Sequence, residues 1–284
     1  MKCTVEQKDR IVSYKGICDF IYENNGVPKG GIISVWCKTD NIDNLLRDVR
    51  NNPNTKYIII THESDHPINA KVVNNLPVNV IKLFGQNITH KDSRVESIPI
   101  GSTCVSWVGI DDYALGKTSN EYRIIEEDGK EKDFKNLALI DFAIRTNPQH
   151  RQSVFNHFTG KSWVTEKPCN LQLNDYKNSQ YFNHIDTYLK DLYNHKFIIS
   201  PLGNGVDCGR NWQAIYLGSI PVVPRHINIE YYDELPILVY DDINELTEEY
   251  LNMKWDEMKS QTFNMDKAKL SYWGNRIKTL KSGG

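Results

Sequence analysis

Short apolar runs recur along this chain, separated by stretches in which apolar positions fall three or four residues apart. In the first half the runs lie at 31–37, 57–61, 78–84 and 95–100, and Leu45, Leu46 and Val49 put a helical stripe on 43–51. A run such as Tyr57-Ile58-Ile59-Ile60-Thr61 has no polar alternation, which predicts a strand buried on both faces of a sheet. After a polar stretch at 117–135, read as a linker or an exposed hairpin, the pattern restarts. Strands are predicted at 136–144, 163–165, 196–199, 220–223 and 237–240, and helices at 149–158, 181–194, after Asp207, and at 266–281. In the last of these Ala268, Leu270, Trp273, Ile277 and Leu280 are partly in phase. Strands alternating with helices predict a parallel α/β fold. The break divides the chain into two Rossmann-like halves, 1–125 and 126–284, with the final helix 266–281 free to pack back on the first.

The chain has 284 residues, room for one large or two small domains, and a formal net charge of −2. Lys and Arg are spread evenly with no basic tract, which argues against nucleic acid as a partner. Its six cysteines, Cys3, Cys18, Cys37, Cys104, Cys169 and Cys208, show no CxxC pair and no His at zinc-finger distance, so free thiols are expected. The N-terminus has no apolar core of a signal peptide, and no run approaches the ~18 apolar residues of a membrane span. A soluble chain in the cytoplasm is therefore expected. There the sequon Asn87-Ile88-Thr89 would go unused.

The most informative segment is 195–224, HKFIISPLGNGVDCGRNWQAIYLGSIPVVP. It reads strand, glycine loop, helix, strand. Gly203, Asn204 and Gly205 permit positive φ and a close backbone approach to a ligand. Asp207 is placed to cap the following helix. Arg210 falls in that helix's first turn, where a cation opposes the dipole, and a bound anion would remove the conflict. Gly218 and Ser219 close the helix. The plain alternative is an ordinary βαβ turn.

The joint pattern resembles the donor-site signature of the exostosin-like glycosyltransferases, carried by Phe197, Pro201, Gly203, Asp207, Arg210, Gln213, Gly218, Ile220, Pro221, Val222 and Val223. The departure is Gln213, where the family usually has the Glu that holds the ribose hydroxyls. Ser97-Ile98-Pro99-Ile100-Gly101 is similar to the end of that family's first domain. The resemblance implies a GT-B fold, two Rossmann-like domains with the active site in the cleft between them, and a UDP-sugar donor. Within the family the chain resembles small, Lys- and Asn-rich members from large algal viruses, and chlorovirus capsid-glycan β-xylosyltransferases above all. That implies UDP-xylose as donor, a fucose-bearing oligosaccharide or glycoprotein as acceptor, and the cytoplasm of an infected host cell as location.

Transfer of a sugar needs positive charge on the leaving diphosphate and a base for the acceptor hydroxyl. Arg210, then Arg145 and Arg151 after the strand at 136–144, are the expected diphosphate ligands, since a guanidinium fork matches phosphate oxygens. No obligatory metal is expected, and Asp241-Asp242 is no DxD motif. The strand at 57–61 runs into His62-Glu63-Ser64-Asp65-His66-Pro67, and ligands bind at the carboxyl ends of such strands. Asp65 is the first candidate base and Glu63 the second, with His62 and His66 on the acceptor side. The alternative for Asp65 is a cap for a helix starting near Pro67. Zinc on His62 and His66 is disfavoured because no helix runs into Pro67. Thr165 ends the strand at 163–165, where the nucleobase is expected to meet backbone groups, while Trp163 suits a core.

Three rivals remain, one that keeps the fold and changes the sugar and two of another class. A GDP-fucose-dependent fucosyltransferase shares the KF strand and a Thr-Glu-Lys segment, but Thr165-Glu166-Lys167 precedes the KF strand here instead of following it. A non-catalytic nucleotide-sugar or glycan-binding module would tolerate loss of both Asp65 and Glu63. A dinucleotide oxidoreductase would need a GxGxxG loop, which the chain lacks.

Overall fold

The computed structural model describes residues 5–11, 13–102, 134–167 and 179–283. The predicted linker lies outside them over 117–133, as do the boundary at 125/126 and Cys3, Cys104 and Cys169. The fold is α/β with two five-stranded parallel sheets, compatible with two Rossmann-like halves. The first sheet holds β1 (Phe20–Ile21), β2 (Ile32–Lys38), β3 (Lys56–His62), β4 (Val80–Gly85) and β5 (Val95–Ser97) in sequence order. The second holds β6 (Asn136–Ile140), β7 (Val164–Glu166), β8 (His195–Ile199), β9 (Ile220–Pro224) and β10 (Leu238–Tyr240), in the order β10-β9-β8-β6-β7. Seven α-helices are described: α1 (Ile42–Arg50), α2 (Ala70–Asn74), α3 (Pro148–Phe158), α4 (Ser179–Asn194), α5 (Gly209–Tyr216), α6 (Glu248–Lys259) and α7 (Leu270–Lys281).

Alternation along β3 divides the first sheet's two faces. Tyr57 and Ile59 pack with Leu45, Leu46 and Val49 of α1 and with Val72 and Val73 of α2. Ile58 and Ile60 pack on the opposite face, in one core with Trp212, Ile215 and Tyr232 from the second half and with Trp273 and Ile277 of α7. Burying such a side chain fully contributes roughly 2 kcal/mol, so this shared core holds the halves together. The last helix thus lies on the first sheet. Arg276 of α7 donates to Glu96 at 2.7 Å, and Lys281 reaches Asp19 at 2.6 Å.

The second sheet is covered on both faces. Ala138, Ile140, Phe197 and Ile199 meet Val154 and Phe158 of α3 and Leu251 and Met258 of α6. Leu139 and Ile198 meet Leu189 and Leu192 of α4 and Ala214 of α5. The chain leaves β6 outward to β7, crosses back over β6 to β8, and then continues outward to β9 and β10. The loops after β6 and β8 therefore diverge and open a crevice at their carboxyl ends, the place where open α/β sheets bind ligands. The described strands of the first sheet, wound in one direction, have no such point. Helix α5 ends at Gly218, whose φ of +75° lets Ser219 N donate back to Ala214 O at 2.8 Å.

Several predicted extents change. Val78 is almost fully exposed and precedes β4, and β5 stops before Ile98. The run 136–144 breaks at Ile140, where residues turn into a 3-10 helix at Ile144–Thr146. The predicted helix 266–281 is a 3-10 turn at Asp266–Ala268 followed by α7.

Candidate functional site

Phe142, just past β6, lies at the base of the crevice, with guanidinium groups packed against it. Arg151 Cζ stands 5.7 Å and Arg210 Cζ 5.6 Å from the ring centroid. The two arginines differ in everything else. Arg151 is only 5% exposed. Its Nε donates to Leu202 O at 2.8 Å, its Nη1 to Ala143 O at 2.8 Å and its Nη2 to Pro201 O at 3.3 Å. The expectation that Arg151 binds diphosphate is corrected: its donors clamp the backbone of the glycine loop onto the end of β6.

Arg210 sits in the first turn of α5 with its Nη1 3.5 Å from Ser200 Oγ, at the outer limit of a hydrogen bond. Its Nε is buried and has no hydrogen-bond partner among the described residues. Cys208, the N-cap of α5, makes no side-chain cap bond, so the helix start is left without the usual oxygen over its N–H groups. Buried donors are normally paired, and an anion here would pair this one. Arg145 is exposed on the neighbouring 3-10 turn. Thr165 lies half-buried on β7 beside Leu139, and Gln213, one turn beyond Arg210, accepts from Tyr188 Oη at 2.9 Å.

The two glycines serve packing. A Cβ on Gly203 would stand 2.8 Å from Arg151 Nη2, and one on Gly205 2.6 Å from Asn87 Nδ2. Neither adopts a positive φ. The close approach read from the sequence is therefore to side chains of this protein. Asp207 likewise changes role. It is 4% exposed and lies one residue before the N-cap. Its carboxylate accepts from Ile100 N at 2.8 Å, Cys208 N at 2.9 Å and Trp212 Nε1 at 3.0 Å. Its own N–H donates to Asn87 Oδ1 at 2.9 Å. Ile100 and Asn87 belong to the first half, so Asp207 pins the two halves together, and burial raises its carboxyl to about 6.

Across the seam, the loop after β3 faces the glycine loop. Asp65 is exposed, and its Oδ2 accepts from Asn204 Nδ2 at 3.1 Å. It caps no helix: Asn69 does, accepting from Val72 N at 3.2 Å at the start of α2. Gln86 and Asn87 hold this loop from beneath. Gln86 Oε1 accepts from Glu63 N at 3.1 Å, Gln86 Nε2 donates to Ser64 O, and Asn87 Nδ2 donates to Ser64 O at 3.0 Å. Glu63 and Asn87 both adopt φ of +58°. Non-glycine residues so held cluster at functional sites. His66 is exposed, 3.5 Å from Asp40.

His62 does not reach the cleft. It is fully buried, with Nε2 3.3 Å from Pro99 O and 3.2 Å from Ile100 O, and its ring meets Tyr14 edge-on. Burial lowers its pKa to about 4, so it stays neutral. Its expected acceptor contact is thereby corrected to a structural one. Sequence reasoning also missed Lys15, whose Nζ lies 3.0 Å from Glu63 Oε1. Nothing in its polar N-terminal surroundings marks it.

Among the described residues, Cys18, Cys37 and Cys208 are free thiols, no group of three or more His, Cys, Asp or Glu side chains gathers around a point, and no helix is long and apolar enough to cross a membrane. Fold and cleft define an α/β protein of two parallel sheets with a cationic crevice on one and an acidic loop facing it from the other. Set against known proteins, the chain matches no family model and no curated sequence.

Proposed function

We propose that this protein is a GT-B glycosyltransferase that moves a sugar from a nucleotide diphosphate, with UDP-xylose the expected donor, to a hydroxyl of a fucose-bearing oligosaccharide or glycoprotein. The carrying observation is Arg210. It brings a buried guanidinium N–H, with no hydrogen-bond partner among the described residues, to the first turn of α5, in the crevice where the crossovers from β6 and β8 diverge. A diphosphate supplies the acceptor oxygens that this group and the uncapped helix start lack. Arg145 and Thr165 flank the same strand ends, and the amide of Gln213 faces the ribose in place of a carboxylate.

Asp65 is the base in this reading. It extends from the opposite half to the loop that precedes α5, where it meets the neutral amide of Asn204. The acceptor oxygen attacks the anomeric carbon and gives its proton to Asp65. The bond from that carbon to the diphosphate oxygen breaks, and the nucleoside diphosphate leaves with the electron pair, its charge met by Arg210. A single displacement inverts the anomeric centre. The test is incubation with UDP-xylose and a fucosylated oligosaccharide, following UDP release and the anomeric proton coupling of the product. A β-linked xyloside supports the proposal. No transfer from UDP-xylose, UDP-glucose, UDP-galactose, UDP-GlcNAc or GDP-fucose contradicts it.

A further inference from the structure

The N-terminal segment straps the two halves together. Ile11 N donates to Tyr216 Oη in the second half at 2.9 Å, while Tyr14 Oη donates to Pro99 O in the first at 3.0 Å. Gly101, with φ of +66°, lets the strap lie flush, since a Cβ there would fall 2.3 Å from Ile11 O. The strap delivers Lys15 to the end of β3. Lys15 Nζ lies 3.0 Å from Glu63 Oε1 and 3.1 Å from Oε2, and 4.3 Å from the centroid of the Trp36 ring. The ring is buried and fixes the ammonium from one side. Lys15 itself keeps 40% of its side chain in solvent.

We propose that Lys15 and Glu63 form a sugar-binding subsite that holds two adjacent hydroxyls of the acceptor. The inference rests on the glycosyltransferase reading of the cleft. An ammonium only donates and a carboxylate only accepts. Neighbouring ring hydroxyls, each able to do both, satisfy such a pair with charge-assisted hydrogen bonds. Glu63 is rigidly placed to hold a hydroxyl. Its backbone is kept in a left-handed conformation by Gln86, and it stands two residues before Asp65 on the same loop. Both Glu63 oxygens already face an ammonium, whereas Asp65 meets a neutral amide. Glu63 accordingly binds the acceptor directly, and the proton goes to Asp65. The substrate class is a neutral pyranose bearing a vicinal diol.

The experiment measures binding of methyl α-L-fucopyranoside, with UDP present, by saturation-transfer NMR titration of wild type, Lys15→Met, Glu63→Gln and Lys15→Arg. Lys15→Met and Glu63→Gln are expected to raise Kd about tenfold, and Lys15→Arg to recover most of the loss. UDP should raise the melting temperature of all four proteins alike. No binding to wild type, equal Kd values across the variants, or no recovery by arginine would overturn the subsite. A wild type that UDP fails to stabilise would instead sink the underlying functional reading, whatever the sugar does.

Discussion

Asn204 and Asp65, 139 residues apart in the chain, meet through a 3.1 Å hydrogen bond from the glycine loop of the second half to the loop after β3 of the first. The contact joins the two loops that the proposed reaction requires, one for the donor and one for the acceptor. It also sets Asp65 apart from Glu63, which an ammonium holds.

Asp65→Asn keeps the size of the side chain and removes its basicity. Asp65 is exposed, so stability should change by less than about 0.5 kcal/mol. UDP should still raise the melting temperature, while sugar transfer falls by about 10²- to 10⁴-fold. Near-normal turnover in this variant would show that another group takes the proton.

Arg151→Met separates a loop brace from a diphosphate ligand. The substitution leaves the carbonyls of Ala143, Leu202 and Pro201 without their donor, the Pro201 bond being buried and the other two part-buried. An unpaired buried group costs about 1–3 kcal/mol and a part-buried one less, so urea denaturation should show a loss of about 1–3 kcal/mol. Unchanged stability with weakened UDP binding would restore Arg151 to the donor site.

Acid should weaken the fold through His62. Its imidazole binds a proton near pH 6.5 when unfolded but only near pH 4 when folded, because burial opposes the charge. Between these values the unfolded chain holds more protons, so stability is present above pH 6.5 and is lost as pH falls toward 4. The full loss from this group is about 3 kcal/mol. His226, also lowered to about 4, acts in the same direction, and Asp207, raised to about 6, acts in the opposite one. Urea midpoints between pH 7 and pH 4.5 should fall less steeply in His62→Gln than in wild type. Equal slopes would contradict a neutral buried His62.

Much of the fold is legible because strands buried on two faces leave uninterrupted apolar runs, as β3 does. Elements that bury little leave none. β1 is two residues long and α2 five, and α6 fully buries only Leu251 and Met258, its Tyr250, Met253 and Trp255 falling outside a single clean stripe. The site divides in the same way. Arg210 is visible as a local conflict between a cation and a helix start. Arg151 and Asp207 are charged residues too, one of each sign, but they are drawn inward in part by partners far along the chain, Pro201 and Leu202 for Arg151, Ile100 and Asn87 for Asp207. No local pattern encodes those partners, nor the approach of Lys15 to Glu63 or of Asn204 to Asp65. Gly203 and Gly205 look like ligand-facing glycines and are required instead by the side chains of Arg151 and Asn87.

The most direct test of the donor site is the melting temperature of wild type and Arg210→Ala in the presence of UDP, UDP-xylose and GDP. A ligand at ~100 times its Kd stabilises by about 2.7 kcal/mol. UDP and UDP-xylose are expected to raise the melting temperature of wild type and to do little or nothing for Arg210→Ala. A wild type unmoved by every nucleotide, or an Arg210→Ala variant stabilised as strongly as wild type, would contradict a diphosphate site at Arg210.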